Sequence, residues 1–267
     1  NEYRRVFVQS CFFINTVKSG GYRGGINIIK GLLLLILCSI CLTACSGERK
    51  LEINTEEITK DTIVSCEDGM FYEYMHSYPD IPSLARESDV VVYAETAGIS
   101  YYIAGDGVCR TKADIKILQS FKENYKKGTK IKMIKDQGYA SVKDYIDSFR
   151  TKDERRSCRQ KYEQYSDEAL KHIYVLQIEQ DDIMLETGQK SIYFLQKSAY
   201  YNTDGTYARI NGPEGEYMET EEGYFAEVKT FCDYRKSIET RGDTGTEEEE
   251  YQVFTLDEMA SQINESK

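Results

Sequence analysis

Cysteines, histidines and clustered acids are the residues of this 267-residue chain whose types could do chemistry. Eight Cys are present. Cys11, Cys38 and Cys41 lie before or within an apolar run, Cys45 follows that run behind two small residues, and Cys66, Cys109, Cys158 and Cys232 are spread along the rest. Zinc needs closely spaced ligand pairs, and none of the last four has a Cys or His two to four residues away. No metal site is expected. Outside the cytosol these four admit disulfides in any of three pairings, with buried thiols as the equal alternative. His76 and His172 are the only histidines and form no paired-His motif. No Gly-rich phosphate loop and no nucleophile elbow occur. Asp181-Asp182 and the group Glu219, Glu221 and Glu222 lack the alternating ligands of a calcium loop and read as solvated acidic turns. No catalytic residue and no cofactor site is assigned.

The strongest signal lies around Cys45. From Leu32 to Leu42 the chain is apolar except for Ser39, which suits a signal-peptide core and falls short of the roughly 20 residues of a spanning helix. Arg23 and Lys30 precede it, as a basic flank should. Its end, Leu42-Thr43-Ala44-Cys45, resembles the lipobox of bacterial lipoproteins. That resemblance implies cleavage before Cys45 and fatty acyl chains on its sulfur, anchoring residue 45 to the outer face of the cell membrane. Two or more chains hold stably, at about 0.8 kcal/mol per buried methylene. Residues 26–44 are then the signal peptide, and 1–25 an extended or misplaced start set aside from fold reasoning.

Without those 44 residues, which carry Arg4, Arg5, Lys18, Arg23, Lys30 and Glu2, the chain holds 29 basic and 44 acidic residues, net −15. An acidic body argues against nucleic acid as a partner. The bilayer, reached through acylated Cys45, is the expected partner, with a protein or glycan beyond it.

Any site must be positioned by the elements of the remaining chain. Residues 45–62 are a polar tether. Ser83 is expected to cap a short helix ending near Asp89, and Val90-Val91-Val92-Tyr93-Ala94 to be a strand buried on both faces. Ala113, Ile115 and Ile117 alternate with Lys112, Asp114 and Lys116, and Lys130 to Lys135 alternates again, giving an antiparallel meander. Residues 139–171 read as one or two inserted helices with a solvated charged face. Strands resume at His172 to Ile178 and Ser191 to Gln196, and Asp204-Gly205 signals a hairpin to Tyr207-Ala208-Arg209-Ile210. After an acidic linker, 236–254, Thr255 and Glu258 form a capping box for a terminal helix, 255–264, with Leu256, Met259, Ala260 and Ile263 on one face. Arg241-Gly242-Asp243 is a chance tripeptide. The fold expected over 63–235 is mainly β with inserted and terminal helices (α+β), about six antiparallel strands in a small barrel or a sandwich.

The segments Ser88-Asp89-Val90-Val91-Val92, Ile115-Lys116-Ile117-Leu118, Lys127-Gly128-Thr129-Lys130-Ile131, Glu186 to Leu195 and Gly212-Pro213-Glu214-Gly215 resemble, in order, a domain of uncharacterised lipoproteins of Gram-positive bacteria. Spanning about 81–225, it implies a compact barrel similar to the oligonucleotide/oligosaccharide-binding fold and no activity. The 139–171 insertion departs from that pattern.

The function expected is a lipid-anchored, extracytoplasmic, non-catalytic binding or structural module. One alternative is a cell-envelope enzyme or enzyme accessory acting on glycan or peptide, and another a protein-binding immunity or stress lipoprotein. They differ in forecast: a binding module shows an open, Tyr-lined cleft, an enzyme two acids within about 5 to 10 Å in a pocket, and the third an exposed apolar patch.

Overall fold

Two strands come first, β1 (Arg49–Lys50) and β2 (Ile63–Met70), then helix α1 (Ile81–Glu87) and the long strands β3 (Val90–Ile103) and β4 (Cys109–Lys122). β5 (Lys130–Lys135), β6 (Gly138–Ser141), α2 (Val142–Ser148) and α3 (Lys152–Gln160) come next. The chain continues through β7 (Tyr174–Glu179), β8 (Lys190–Lys197), β9 (Thr206–Arg209), β10 (Glu216–Glu219), β11 (Phe225–Glu227), β12 (Val253–Phe254) and α4 (Leu256–Asn264). The structure, a computed structural model, describes residues 49–50, 58–70, 72, 74, 76–105, 107–197, 205–230 and 252–266. All belong to the second of two compact units, Ser46–Lys267. The signal segment and Cys45, the residues 202–204 of the expected hairpin turn, Cys232, Arg241-Gly242-Asp243 and the run 247–250 lie outside the described residues.

Five strands close on themselves. β3 pairs with β4 and β8, β4 with β5, and β8 with β9, all antiparallel, while β5 pairs with β9 in parallel and completes the ring. The barrel is therefore the small closed one expected, with β3-β4-β5 as its meander. It is not purely antiparallel, because strands that alternate in direction around a ring of five must meet one neighbour running the same way, here β9 beside β5. β10, β11 and β12 continue outward from β8, and β2, β7 and β6 form a separate three-stranded sheet whose β2–β7 pair is parallel.

Alternation fills the barrel. Val90, Val92, Ala94, Ala113, Ile115, Ile117, Met133, Tyr193 and Leu195 point inward with no exposed surface. Between them Val91, Ile192 and Phe194 point outward and are covered by Ile81 and Leu84 of α1 and Met259 and Ile263 of α4. The start of β3 is thus buried on both faces, which is why it reads as a continuous apolar run. The terminal helix is capped as expected: the Thr255 hydroxyl accepts the Glu258 N–H at 3.2 Å, and the Glu258 carboxylate accepts the Thr255 N–H at 2.8 Å. Its apolar face is spent on the barrel. Asp80, rather than Ser83, caps α1: its carboxylate accepts the Ser83 N–H at 2.7 Å, and Pro82 in the first turn loses nothing by lacking an N–H.

The insertion contains both helices and one strand. α3 carries a capping box of its own, Thr151 with Glu154, and a third cluster joins Ile103 and Cys109 to Ala140, Val142, Ile146 and Val175. Cys158 lies in that same cluster and Cys66 is exposed on β2. Within the expected tether, Arg49 and Lys50 pair with the end of β3. Among the described residues no helix is long and apolar enough to cross a membrane.

Candidate functional site

A register shift in β3 builds the site. Up to Thr96 the even residues of β3 face the barrel interior; the β3–β4 ladder then slips between Thr96 and Gly98, so Ile99 takes the inward place opposite Ala113. One extra residue in a strand reverses the facing of every residue after it. Gly98, Ser100 and Tyr102 now share the outer face with Asp114, Lys112 and Arg110, and Lys132 of β5 stands beside Asp114. Two small residues flanked by long ones leave a hollow. It encloses about 450 Å³ and is lined by Gly98, Ser100, Tyr101, Lys112, Asp114 and Lys132 among others, within the size range of ligand sites. A Cβ on Gly98 would meet nothing within 4 Å, so the position is small without any packing need.

Its walls are fixed. The Lys112 ammonium lies 5.4 Å from the Tyr102 ring centroid, a cation–π contact that holds the charge at the groove edge. On the opposite face of β3, Tyr101 packs edge-on against Tyr139, centroids 5.5 Å apart, and burial, with Tyr139 and Glu186 adding to it, pushes its hydroxyl up to about 12. The neighbouring rows are basic. Lys116 is paired across the strands with Lys130 and with Glu95, and Glu95 with Lys190. In a chain of net charge −11 this face therefore gathers Lys112, Lys116, Lys130, Lys132 and Lys190 against Glu95, Asp114 and the Glu219 paired with Lys190.

A second cluster of charges is buried. Lys135 and Arg209 end the inward-facing rows of β5 and β9, and both ammonium and guanidinium are sealed from solvent. The Lys135 Nζ lies 3.1 Å from both Asp182 and Glu216. Arg209 grips Asp182 at 2.6 and 3.0 Å and Glu216 at 2.9 Å, while Ser191 and Gln189 donate to the other Glu216 oxygen at 3.0 and 3.1 Å. Burial pushes the Asp182 carboxyl up, but Arg209 and Lys135 outweigh it and hold the group below its ordinary value. Asp182 is therefore no solvated turn residue. The acidic pair splits: Asp181 stays partly exposed with φ 58° while Asp182 turns inward to two cations.

Glu179 is the least compensated member. Its Oε2 is 3.7 Å from Arg209, its Oε1 accepts the Tyr74 hydroxyl, and desolvation raises its pKa to about 7 against the pull of Arg209 and Tyr74. Beside it lies a cavity of about 120 Å³ bordered by Tyr72, Tyr74, Asn211, Glu214 and Lys229. Gly212, at φ 57°, admits this arrangement, since a Cβ there would strike the Tyr74 hydroxyl and the Glu179 carboxylate.

The other residues noted in the sequence stay apart. His172 is exposed, 3.7 Å from Glu168, and His76 is exposed in the segment before α1. Glu219 accepts from Tyr93 at 3.0 Å and lies 3.4 Å from Lys190, while Glu221 and Glu222 are exposed. Among the described residues no group of three or more His, Cys, Asp or Glu is placed to hold a metal ion. Period-2 parity was the available signal for Lys135 and Arg209, which fall in step with Ile131 and Met133 and with Tyr207. No family model, no curated protein and no solved structure matches this chain.

Proposed function

We propose that this chain is a non-catalytic binding module, held on the outer face of a bacterial membrane through acyl chains on Cys45, that takes its ligand in the groove on the β3–β4–β5 face. The observation that carries the binding reading is the groove itself: a hollow edged by Lys112 and Tyr102 with Gly98 in its floor, where neither packing nor backbone conformation calls for a glycine. The buried charges favour binding over catalysis, because Asp182 and Glu216 are each held by both cations and sealed from solvent. Among the described residues the exposed large apolar side chains are Tyr74, Tyr224 and Val253, too few for a docking patch of the size a protein-binding surface shows.

The test fills the groove. Detergent-solubilised full chain is mixed with isolated cell-wall sacculi and sedimented, beside Gly98→Trp. Retention of the parent and its loss in Gly98→Trp, with an unchanged melting temperature, is the expected result; equal retention of both rejects the groove.

A second reading has one observation in its favour. Glu179, with a pKa near 7 beside a cavity and a tyrosine hydroxyl, has the character of a general acid or base. If the chain cleaves envelope glycan or peptide, incubation with sacculi releases soluble fragments, and Glu179→Gln abolishes the release.

A further inference from the structure

Resting on the binding reading, the geometry points to the class of ligand: we infer that the groove takes a linear polyanion without aromatic bases, a carboxylate- or phosphate-bearing glycan or polyol chain, laid across β3, β4 and β5. Charge complementarity selects that class. Five lysines against three acids, Glu95, Asp114 and the Glu219 that neutralises Lys190 at 3.4 Å, occupy this face, in a chain whose acids outnumber its bases by 45 to 34. Lys116 and Lys130 stand directly opposite each other across β4 and β5, and like charges so placed destabilise a sheet unless an anion meets them. Three of the five alternate along the meander at the groove: Lys112 is fixed over Tyr102 at one edge, Lys132 stands in the lining, and Lys130 is next along β5.

Distance lets this patch act on its own. Neighbouring strands are about 4.8 Å apart, so the three strands span about 10 Å. That is close to the Debye length at physiological salt, about 8 Å, beyond which the acids elsewhere on the body are screened. A polyanion in contact with the groove therefore meets the lysines, not the net charge.

The face also discriminates between polyanions. Single-stranded nucleic acid is held by stacking successive bases on exposed aromatic rings. Here the outward residues of β4 and β5 around the groove are Lys112, Asp114, Lys116, Lys130 and Lys132, none aromatic, and Tyr102 is 6% exposed beneath Lys112. Asp114 in the lining adds a hydrogen-bond acceptor for hydroxyl groups, which a polyol or sugar chain has along its length.

Binding of the detergent-solubilised full chain is measured by fluorescence anisotropy against labelled polygalacturonate, polyphosphate, neutral dextran and oligo(dT). The expected result is binding to the first two that weakens above about 0.15 M salt, none to dextran, and oligo(dT) no tighter than polyphosphate of equal charge. The double variant Lys130→Gln with Lys132→Gln weakens polyanion binding about thirtyfold, and Lys152→Gln with Lys161→Gln, at the two ends of the exposed α3 segment, a control for net charge, leaves it unchanged. Dextran binding as well as polygalacturonate, no loss in the double variant, or no binding to any probe overturns the ligand class. Tighter oligo(dT) overturns it in favour of nucleic acid. The two proposals fail separately: sacculi retention that is lost in Gly98→Trp but kept in the double lysine variant rejects the polyanion and leaves the groove standing.

Discussion

Glu179 shows what a single carboxylate costs when it is buried without full compensation. Desolvation raises its pKa to about 7, whereas a Glu in an unfolded chain releases its proton near 4.5. Between those values the folded form holds the extra proton, so stability is highest below about pH 4.5, falls as the pH rises to about 7, and is level above that. The cost at pH 8 is on the order of 3 kcal/mol. Glu179→Gln is expected to remove this slope, so that urea unfolding curves for parent and variant separate at pH 8 and converge at pH 5. Parallel curves at both values would contradict the assignment. Asp182, three residues on, behaves in the opposite way because Arg209 and Lys135 both reach it. Adjacent acids in the sequence therefore say little about their charge state; what decides it is which strand ends arrive beside them.

At the level of elements, α4 carries a measurable share of the fold. Met259 and Ile263 close the outer cluster over Phe194 and Val91, and Met259 has no exposed surface. Met259→Ala is expected to cost about 2 to 5 kcal/mol, read as a lowered urea midpoint with an unchanged slope. A shift under half a kcal/mol would mean that the helix is only loosely docked. This element was legible, since Thr255, Glu258 and the spacing of Leu256, Met259 and Ile263 announce both its start and its face. So was the two-faced burial of Val90 to Val92. Pairings were not: β2 meets β7 across about a hundred residues, and the 63–70 segment has no alternation that names its partner. Nor was the groove, because a bulge is one unpaired residue, and Ala97 looks like any other small residue in a β-branched run.

For the whole molecule, the body and the anchor make separate forecasts. Repeated short alternating segments with turn signals between them made the β class readable but suited a barrel and a sandwich alike, because closure depends on the β5–β9 and β3–β8 pairings between segments far apart in the chain. Location rests on Leu42-Thr43-Ala44-Cys45 alone. Cys45→Ala is expected to move the chain from the membrane fraction to the medium or to leave an uncleaved precursor, and mass spectrometry of the parent to find acyl chains on an N-terminal residue 45. An unmodified residue 45 in the parent would take the anchored location away and leave the groove and its lysines untouched.

The slip at Ala97 separates two jobs that share one ribbon of chain. On one side of it the inward letters are Val90, Val92 and Ala94; on the other they are Ile99 and its successors, while Gly98, Ser100 and Tyr102 look outward. Variation at those outward positions can reshape the proposed groove while the filling of the barrel stays as it is. Removing Ala97, by contrast, would swap inside for outside along the remainder of the strand, and the shape of that groove and the packing of the barrel would be lost together.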